Sequence, residues 1–131
     1  MDNKRGHILI VDDQSNWLKA LGSLLLKDGH TVVTAMNFEE AKSKLLQEKF
    51  DVVTLDVRLM DDEDFNVQGL ELLREIRRQN LNSRVVLLTG YPEIIQQPTI
   101  DEYKPDQILY KVPQGSMFDN NRFREIILSL I

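Results

Sequence analysis

No cysteine occurs among the 131 residues, so neither a disulfide framework nor a thiolate metal site is available, and nothing points to an oxidising compartment. Long hydrophobic runs are missing too. Asp2, Lys4 and Arg5 precede an apolar run of only Ile8 to Val11, too short for a signal peptide and far short of a bilayer span. The expectation is a cytoplasmic chain with no membrane association. There is no basic excess: the net charge is -5 and no basic stripe follows any helical pattern, which argues against direct contact with nucleic acid or anionic lipid. Glycine, proline and serine nowhere gather into a linker, and repeats and low-complexity tracts are absent. What remains, with 42% hydrophobic residues, is one domain of a size to bury a core on both sides of a sheet.

Five short runs rich in β-branched residues punctuate the chain: Ile8 to Val11, Thr31 to Ala35, Val52 to Leu55, Val85 to Leu88 and Ile108 to Tyr110. Because they lack polar/apolar alternation, they read as buried parallel strands. Helical patterns separate them. The first carries Trp17, Leu18, Leu21, Leu24 and Leu25 on one side and stops near Gly29, a residue suited to a left-handed C-terminal cap. In the second, Phe38, Ala41 and Leu45 follow Asn37, a good N-cap with Glu40 three residues on. Leu70, Leu73, Ile76 and Arg77 share a face of the third, and the last is expected to begin near Ser116 and to repeat Phe123, Ile126, Ile127 and Leu130. Between Tyr91 and Pro105, three prolines (Pro92, Pro98, Pro105) leave room for one or two helical turns. Strict strand and helix alternation predicts a doubly wound α/β fold, a five-stranded parallel sheet with helices on both faces.

In an open parallel sheet, ligands bind beyond the carboxyl ends of the strands. The residues found there are Asp12 and Asp13 after the first run, Asp56 after the third, Thr89 after the fourth and Lys111 after the fifth. With strand order 2-1-3-4-5, the first and third strands are neighbours at roughly 5 Å, which brings Asp56 close to the acidic pair. Three gathered carboxylates repel one another and have raised pKa values unless a cation relieves them. Oxygen ligands without Cys or nearby His favour magnesium over zinc, with manganese as a substitute. Magnesium beside a lysine makes a clamp for a transferring phosphoryl group, with an Asp inside it as nucleophile. Each residue taken alone has a plainer reading: a helix cap for the Asp pair, a turn residue for Asp56, a surface lysine for Lys111. Those plainer readings leave their joint placement at four strand ends unexplained.

From about Gly6 to Leu130 the chain resembles the receiver domain of two-component response regulators, flavodoxin-like in fold. The likeness rests on Ile8-Leu9-Ile10-Val11-Asp12-Asp13, on Val52 to Leu59 around Asp56, on Gly69-Leu70-Glu71-Leu72-Leu73, on Val85 to Gly90 with its Thr89, and on Lys111. Carried over, it implies that Asp56 is the phosphoacceptor, that Asp13 and Asp56 ligate magnesium directly, that Asp12 acts through a coordinated water, and that the main-chain carbonyl of Arg58 completes the protein ligands. It further implies that Thr89 hydrogen-bonds one phosphoryl oxygen and Lys111 pairs with another. The donor would be a phosphohistidine on a sensor histidine kinase or a histidine phosphotransfer protein, and the output an effector the sequence does not name. Such a protein is a switch rather than a turnover enzyme, and is a monomer or a phosphorylation-dependent dimer.

Departures from that pattern concern the output and the rim of the site. Where many receivers have an aromatic residue three positions before the lysine, Ile108 stands, with Tyr110 next to Lys111. Val112 separates Lys111 from Pro113, so the cis peptide common after the lysine is replaced by a trans bond or shifted by one residue. Between Asp56 and Gly69 lies a longer acidic stretch, Asp61, Asp62, Glu63 and Asp64, read first as a solvated loop and second as a gate on Asp56; the side chain of Arg58 is a second candidate for tuning phosphoryl lifetime. The broken fourth helix implies a modified output face. Two other functions compete: a receiver-like module that binds a partner without phosphate, and a magnesium-dependent phosphohydrolase, disfavoured because Arg58 occupies the place of the usual second Asp. A nucleotide or flavin binder is disfavoured because no glycine-rich loop follows the first run. The chain runs to Ile131 without a linker, compatible with a stand-alone regulator or a segment of a longer one.

Overall fold

The computed structural model describes residues 4–59, 67–79, 82–90, 97–111 and 117–131. Its strands are β1 (His7–Val11), β2 (Thr31–Ala35), β3 (Val52–Asp56), β4 (Arg84–Thr89) and β5 (Gln107–Tyr110), all parallel in the order β2-β1-β3-β4-β5. The helices are α1 (Ser15–Lys27), α2 (Phe38–Gln47), α3 (Gln68–Arg78), α4 (Gln97–Tyr103) and α5 (Asn120–Leu130). Alternate side chains of a strand point to opposite faces, which splits the core in two. Leu9, Val11, Val53, Leu55, Val85 and Leu87 pack with Ala41 and Leu45 of α2 and Leu70, Leu73 and Ile76 of α3. On the other face, Ile8, Ile10, Val52, Val86 and Leu88 meet Leu18, Leu21 and Leu25 of α1 and Phe123, Ile126 and Ile127 of α5.

Local signals account for three of the helix ends. Asn37 Oδ1 accepts the Glu40 amide at 2.8 Å and its Nδ2 donates to Glu40 Oε2 at 3.1 Å, so both residues of the expected cap are used. Gly29 takes φ +90 just past α1, where the chain must turn left-handed. Two expectations need correcting. The last helix starts at Asn120, not near Ser116, because Asp119 is its N-cap: its Oδ1 accepts the Arg122 amide at 2.9 Å. Ser116 itself lies outside the described residues. The second correction concerns burial, since β2 and β5 are the sheet edges and are only partly buried, with Thr31, Thr34, Gln107 and Tyr110 exposed. The missing alternation marked a strand but did not distinguish an edge from a centre.

The short fourth helix is present as seven residues, with Pro98 in its first turn, where a missing N–H costs nothing. Arg77 ties the chain leaving it to the end of α3. Its guanidinium donates to the carbonyls of Tyr103 (2.9 Å), Lys104 (2.9 Å) and Ser83 (3.1 Å) and to Asp106 Oδ2 (3.1 Å). A planar fork with five N–H groups can serve four acceptors at once, and it thereby sets where β5 begins. Asp61 to Asp64, Pro92 and the Val112-Pro113 bond fall outside the described residues.

Candidate functional site

Register alone brings the polar residues to one edge. β1 pairs Val11 with Leu55, so the next step sets Asp12 beside Asp56; β3 pairs Asp56 with Leu88, so Thr89 follows one place on; β4 pairs Thr89 with Tyr110, so Lys111 follows again. Asp12 (1% exposed), Asp56 (4%), Thr89 (0%) and Lys111 (7%) are buried there, together with Arg58. A surface lysine or a loop-starting Asp would not be.

One carboxylate oxygen from each of Asp12, Asp13 and Asp56 lies within 4.8 Å of the others. Lys111 Nζ stands 2.7 Å from Asp12 Oδ2 and 3.2 Å from Asp56 Oδ2, donating a hydrogen bond to the latter. The Asp12 contact is a charge contact, since Asp12 Oδ2 is buried without a hydrogen bond of proper geometry. Asp12 Oδ1 accepts the Gln14 amide at 2.9 Å, an Asx turn that leads into α1 rather than a helix cap, since Gln14 is the N-cap and no side chain caps it, while the other Asp12 oxygen faces the pocket. The Thr89 carbonyl accepts the Lys111 amide at 2.9 Å, which holds the lysine backbone against β4.

Three carboxylates share one ammonium here, a formal surplus of two negative charges among these four side chains. The consequence is visible in protonation. Burial, then the Asp12 carboxylate, push the Asp56 carboxyl up from 3.8 to about 8, with Lys111 pulling it down and Asp13 adding to the push. Asp12 is raised as well, by burial, against the pull of Lys111. A hard divalent cation fits this donor set: all donors are oxygen, the charge surplus matches, and a buried Asp12 oxygen lacks a hydrogen bond.

A pH dependence follows from the raised Asp56. An acid whose folded pKa exceeds its unfolded value binds its proton more tightly when folded, so this group favours folding at low pH. That contribution is lost as pH rises from about 4 to about 8, on the order of 1 kcal/mol per unit at most. In EDTA, the thermal midpoint of the wild type should fall across this window, and Asp56→Asn should be flatter and more stable at pH 8. Equal slopes for the two proteins in thermal melts would refute the assignment.

Among the residues singled out for output, Ile108 is half-buried and packs on the face lined by α2 and α3, while Tyr110 is 43% exposed at the sheet edge. One site neighbour was read from sequence only as a core position. Trp17 places its ring centroid 5.0 Å from Lys111 Nζ, a contact with no signal in the sequence because the two residues lie on different elements.

The family model described as "Response regulator receiver domain" matches residues 8–112. Among curated relatives, the transcriptional regulatory protein GlrR of Escherichia coli is 38% identical over 94 residues, 72% of this chain and 20% of that protein. PhoP of Bacillus subtilis, a regulator of alkaline phosphatase synthesis, is 35% identical over 86 residues, 66% of this chain and 34% of its own length. The chain thus spans about a fifth of the first of these relatives and a third of the second. The crystal structure of response regulator protein TrrA from Thermotoga maritima in complex with Mg(2+)-BeF superposes with a TM-score of 0.78 at 28% identity, covering 98% of this chain and 99% of that one. A CheY-like receiver domain protein from Methanospirillum hungatei matches at TM-score 0.78 and 25% identity, over 95% of this chain and 90% of the other.

Proposed function

The chain belongs to the response regulator receiver family, and on that premise we propose that Asp56 accepts a phosphoryl group in a magnesium-dependent reaction and thereby switches an output surface. The observation that carries this reading is the buried pocket in which Asp12, Asp13 and Asp56 converge and Lys111 Nζ lies 3.2 Å from Asp56 Oδ2. Receiver domains are signalling switches, and they bind magnesium at an acidic pocket of this kind.

In the proposed reaction a carboxylate oxygen of Asp56 attacks phosphorus, the P–N bond of a phosphohistidine breaks, and the imidazole leaves with the bonding electron pair. Phosphoryl transfer asks little covalent chemistry of the protein beyond this nucleophile; the rest is positioning and charge. Lys111 supplies a fixed positive charge to one phosphoryl oxygen, and the Thr89 hydroxyl, at the end of the adjacent strand, donates to another. A magnesium ion held by Asp13 and Asp56, by Asp12 through water and by the Arg58 carbonyl would offset the carboxylate charge and keep Asp56 ionised; manganese would substitute. Self-catalysis at this site, in both phosphorylation and hydrolysis, is part of the proposal, as is a receiver unit spanning about 6–130 with the whole 1–131 as one domain. The donor is a sensor histidine kinase or histidine phosphotransfer protein, and the chain meets it in the cytoplasm; no helix among the described residues is long and apolar enough to cross a membrane.

Intact mass after incubation with magnesium and acetyl phosphate tests this. One phosphoryl adduct is expected on the wild type, and none with EDTA or on Asp56→Asn. An unmodified wild type that also forms no beryllofluoride complex would replace the proposal with a module that binds its partner without phosphate.

A further inference from the structure

Lys111 has two carboxylates and an aromatic face as neighbours. The side chain is 7% exposed, and its ammonium is 2.7 Å from Asp12, 3.2 Å from Asp56 and 5.0 Å from the centroid of Trp17. Trp17 is the chain's only tryptophan and stands in the first turn of α1, three residues after Gln14, whose amide is held by Asp12 Oδ1 and whose carbonyl accepts the Trp17 amide at 3.1 Å. The ring is fixed in turn by Phe118, edge-on at 5.1 Å and 88°, and Phe118 tilts against Phe123 of α5 at 6.0 Å. Acid pair and ring are therefore carried by one short stretch of chain, and the lysine reaches them from β5.

We propose that Trp17 is a positioning residue for Lys111: its ring face and the Asp12 and Asp56 carboxylates together hold the ammonium where a phosphoryl oxygen on Asp56 would meet it. Resting on the reading of Asp56 as phosphoacceptor, the inference adds a residue to that site. The physical reason is the lysine's length. Four rotatable bonds allow Nζ many positions, and an ammonium attracted only by carboxylates would follow whichever is most negative as the charge in the pocket changes. A π face offers an attraction that does not titrate, and its apolar surface displaces water from the ammonium. The Phe118 and Phe123 contacts keep that face from rotating, which ties the lysine's place to the start of α5.

Two measurements on the full chain test it, and the first needs no phosphate. In the magnesium-free wild type, the ε-methylene protons of Lys111, assigned by comparison with Lys111→Arg, should be displaced upfield by the indole ring current. Trp17→Leu should return them to ordinary positions, and Trp17→Phe should keep most of the displacement. In the second, the rate of phosphoryl uptake from acetyl phosphate, followed by intact mass, should fall about tenfold in Trp17→Leu and stay within about threefold of wild type in Trp17→Phe. A structural role alone would lower the thermal midpoint of Trp17→Leu without moving the uptake rate of its folded fraction. Undisplaced lysine protons in the wild type, wild-type uptake by Trp17→Leu, or equal slowing in both variants would each overturn the proposal. If the wild type takes up no phosphoryl group, the function proposed for Asp56 fails, and the ring-current result alone decides whether Trp17 places the lysine. Should Trp17→Leu not fold, the wild-type proton positions and the Trp17→Phe rate still decide it.

Discussion

Lys111→Met should slow phosphoryl uptake by about a hundredfold to a thousandfold, because it removes the ammonium that stands 3.2 Å from the carboxylate proposed to carry the phosphoryl group. Methionine keeps the stem's length and apolar contacts, so the loss is one of charge. The same change destabilises the fold in a pH-dependent way. Without the ammonium, Asp12 and Asp56 are two buried acids facing each other, and breaking a buried pair by deleting one partner costs roughly 3 kcal/mol when the remaining charge cannot escape. Here it can escape by protonation. Burial already raises both carboxyls against the pull of Lys111, and its removal raises them further, so they take up protons more readily as pH falls and the cost shrinks. Thermal melts of the two proteins in EDTA should therefore diverge at pH 8 and approach each other at pH 5. A mass time course within threefold of wild type would exclude Lys111 from the reaction.

Gly69→Ala is the second change with a large expected effect, and it acts through space rather than backbone freedom. A Cβ at position 69 would fall on the carbonyl oxygen of Asp56 and come within 2.7 Å of Val57 Cα and 2.8 Å of the Asp56 carbonyl carbon. All three atoms are backbone, so no side chain can rotate away. Gly69 is the second residue of α3, and its amide donates to the Val57 carbonyl at 2.9 Å, so the close approach belongs to the joint between α3 and the end of β3. Relief requires the helix to move off the sheet, exposing Leu70 and Leu73, or Asp56 to shift within its pocket. We expect a loss of about 3 kcal/mol, of the size seen when a packed core is overfilled. Phosphoryl uptake by the folded fraction should fall as well, since displacement of about 1 Å misaligns a nucleophile. Retention of both the wild-type thermal midpoint and the uptake rate would show that the joint can open without cost.

Much of this was legible beforehand, and the reasons are local. A run such as Val52-Val53-Thr54-Leu55, apolar at consecutive positions, is suited to a strand covered on both sides, and β3 is buried throughout. The Asn37 and Gly29 signals act within a few residues and were realised as expected. Where several signals compete over a few residues, local pattern does not choose between them: Ser116 and Asp119 both suit a helix start, and Asp119 is the one that caps α5. The edge strands show the same limit, since whether Thr31 or Tyr110 is covered depends on what lies beside the strand, not on the strand.

Composition and spacing by themselves determined the alternation of strands and helices, the strand ends at which Asp12, Asp13, Asp56, Thr89 and Lys111 emerge, and the oxygen-only donor set. These follow from period and order, which are properties of neighbouring residues. Tertiary structure alone decided which oxygen of Asp12 holds the Gln14 amide and which faces Lys111, how far burial raises Asp56, why residue 69 has no room for a methyl group, and that Trp17 meets the lysine. Each of these is a distance between atoms far apart in the chain, set by how the sheet twists and the helices settle on it, and no local preference encodes it.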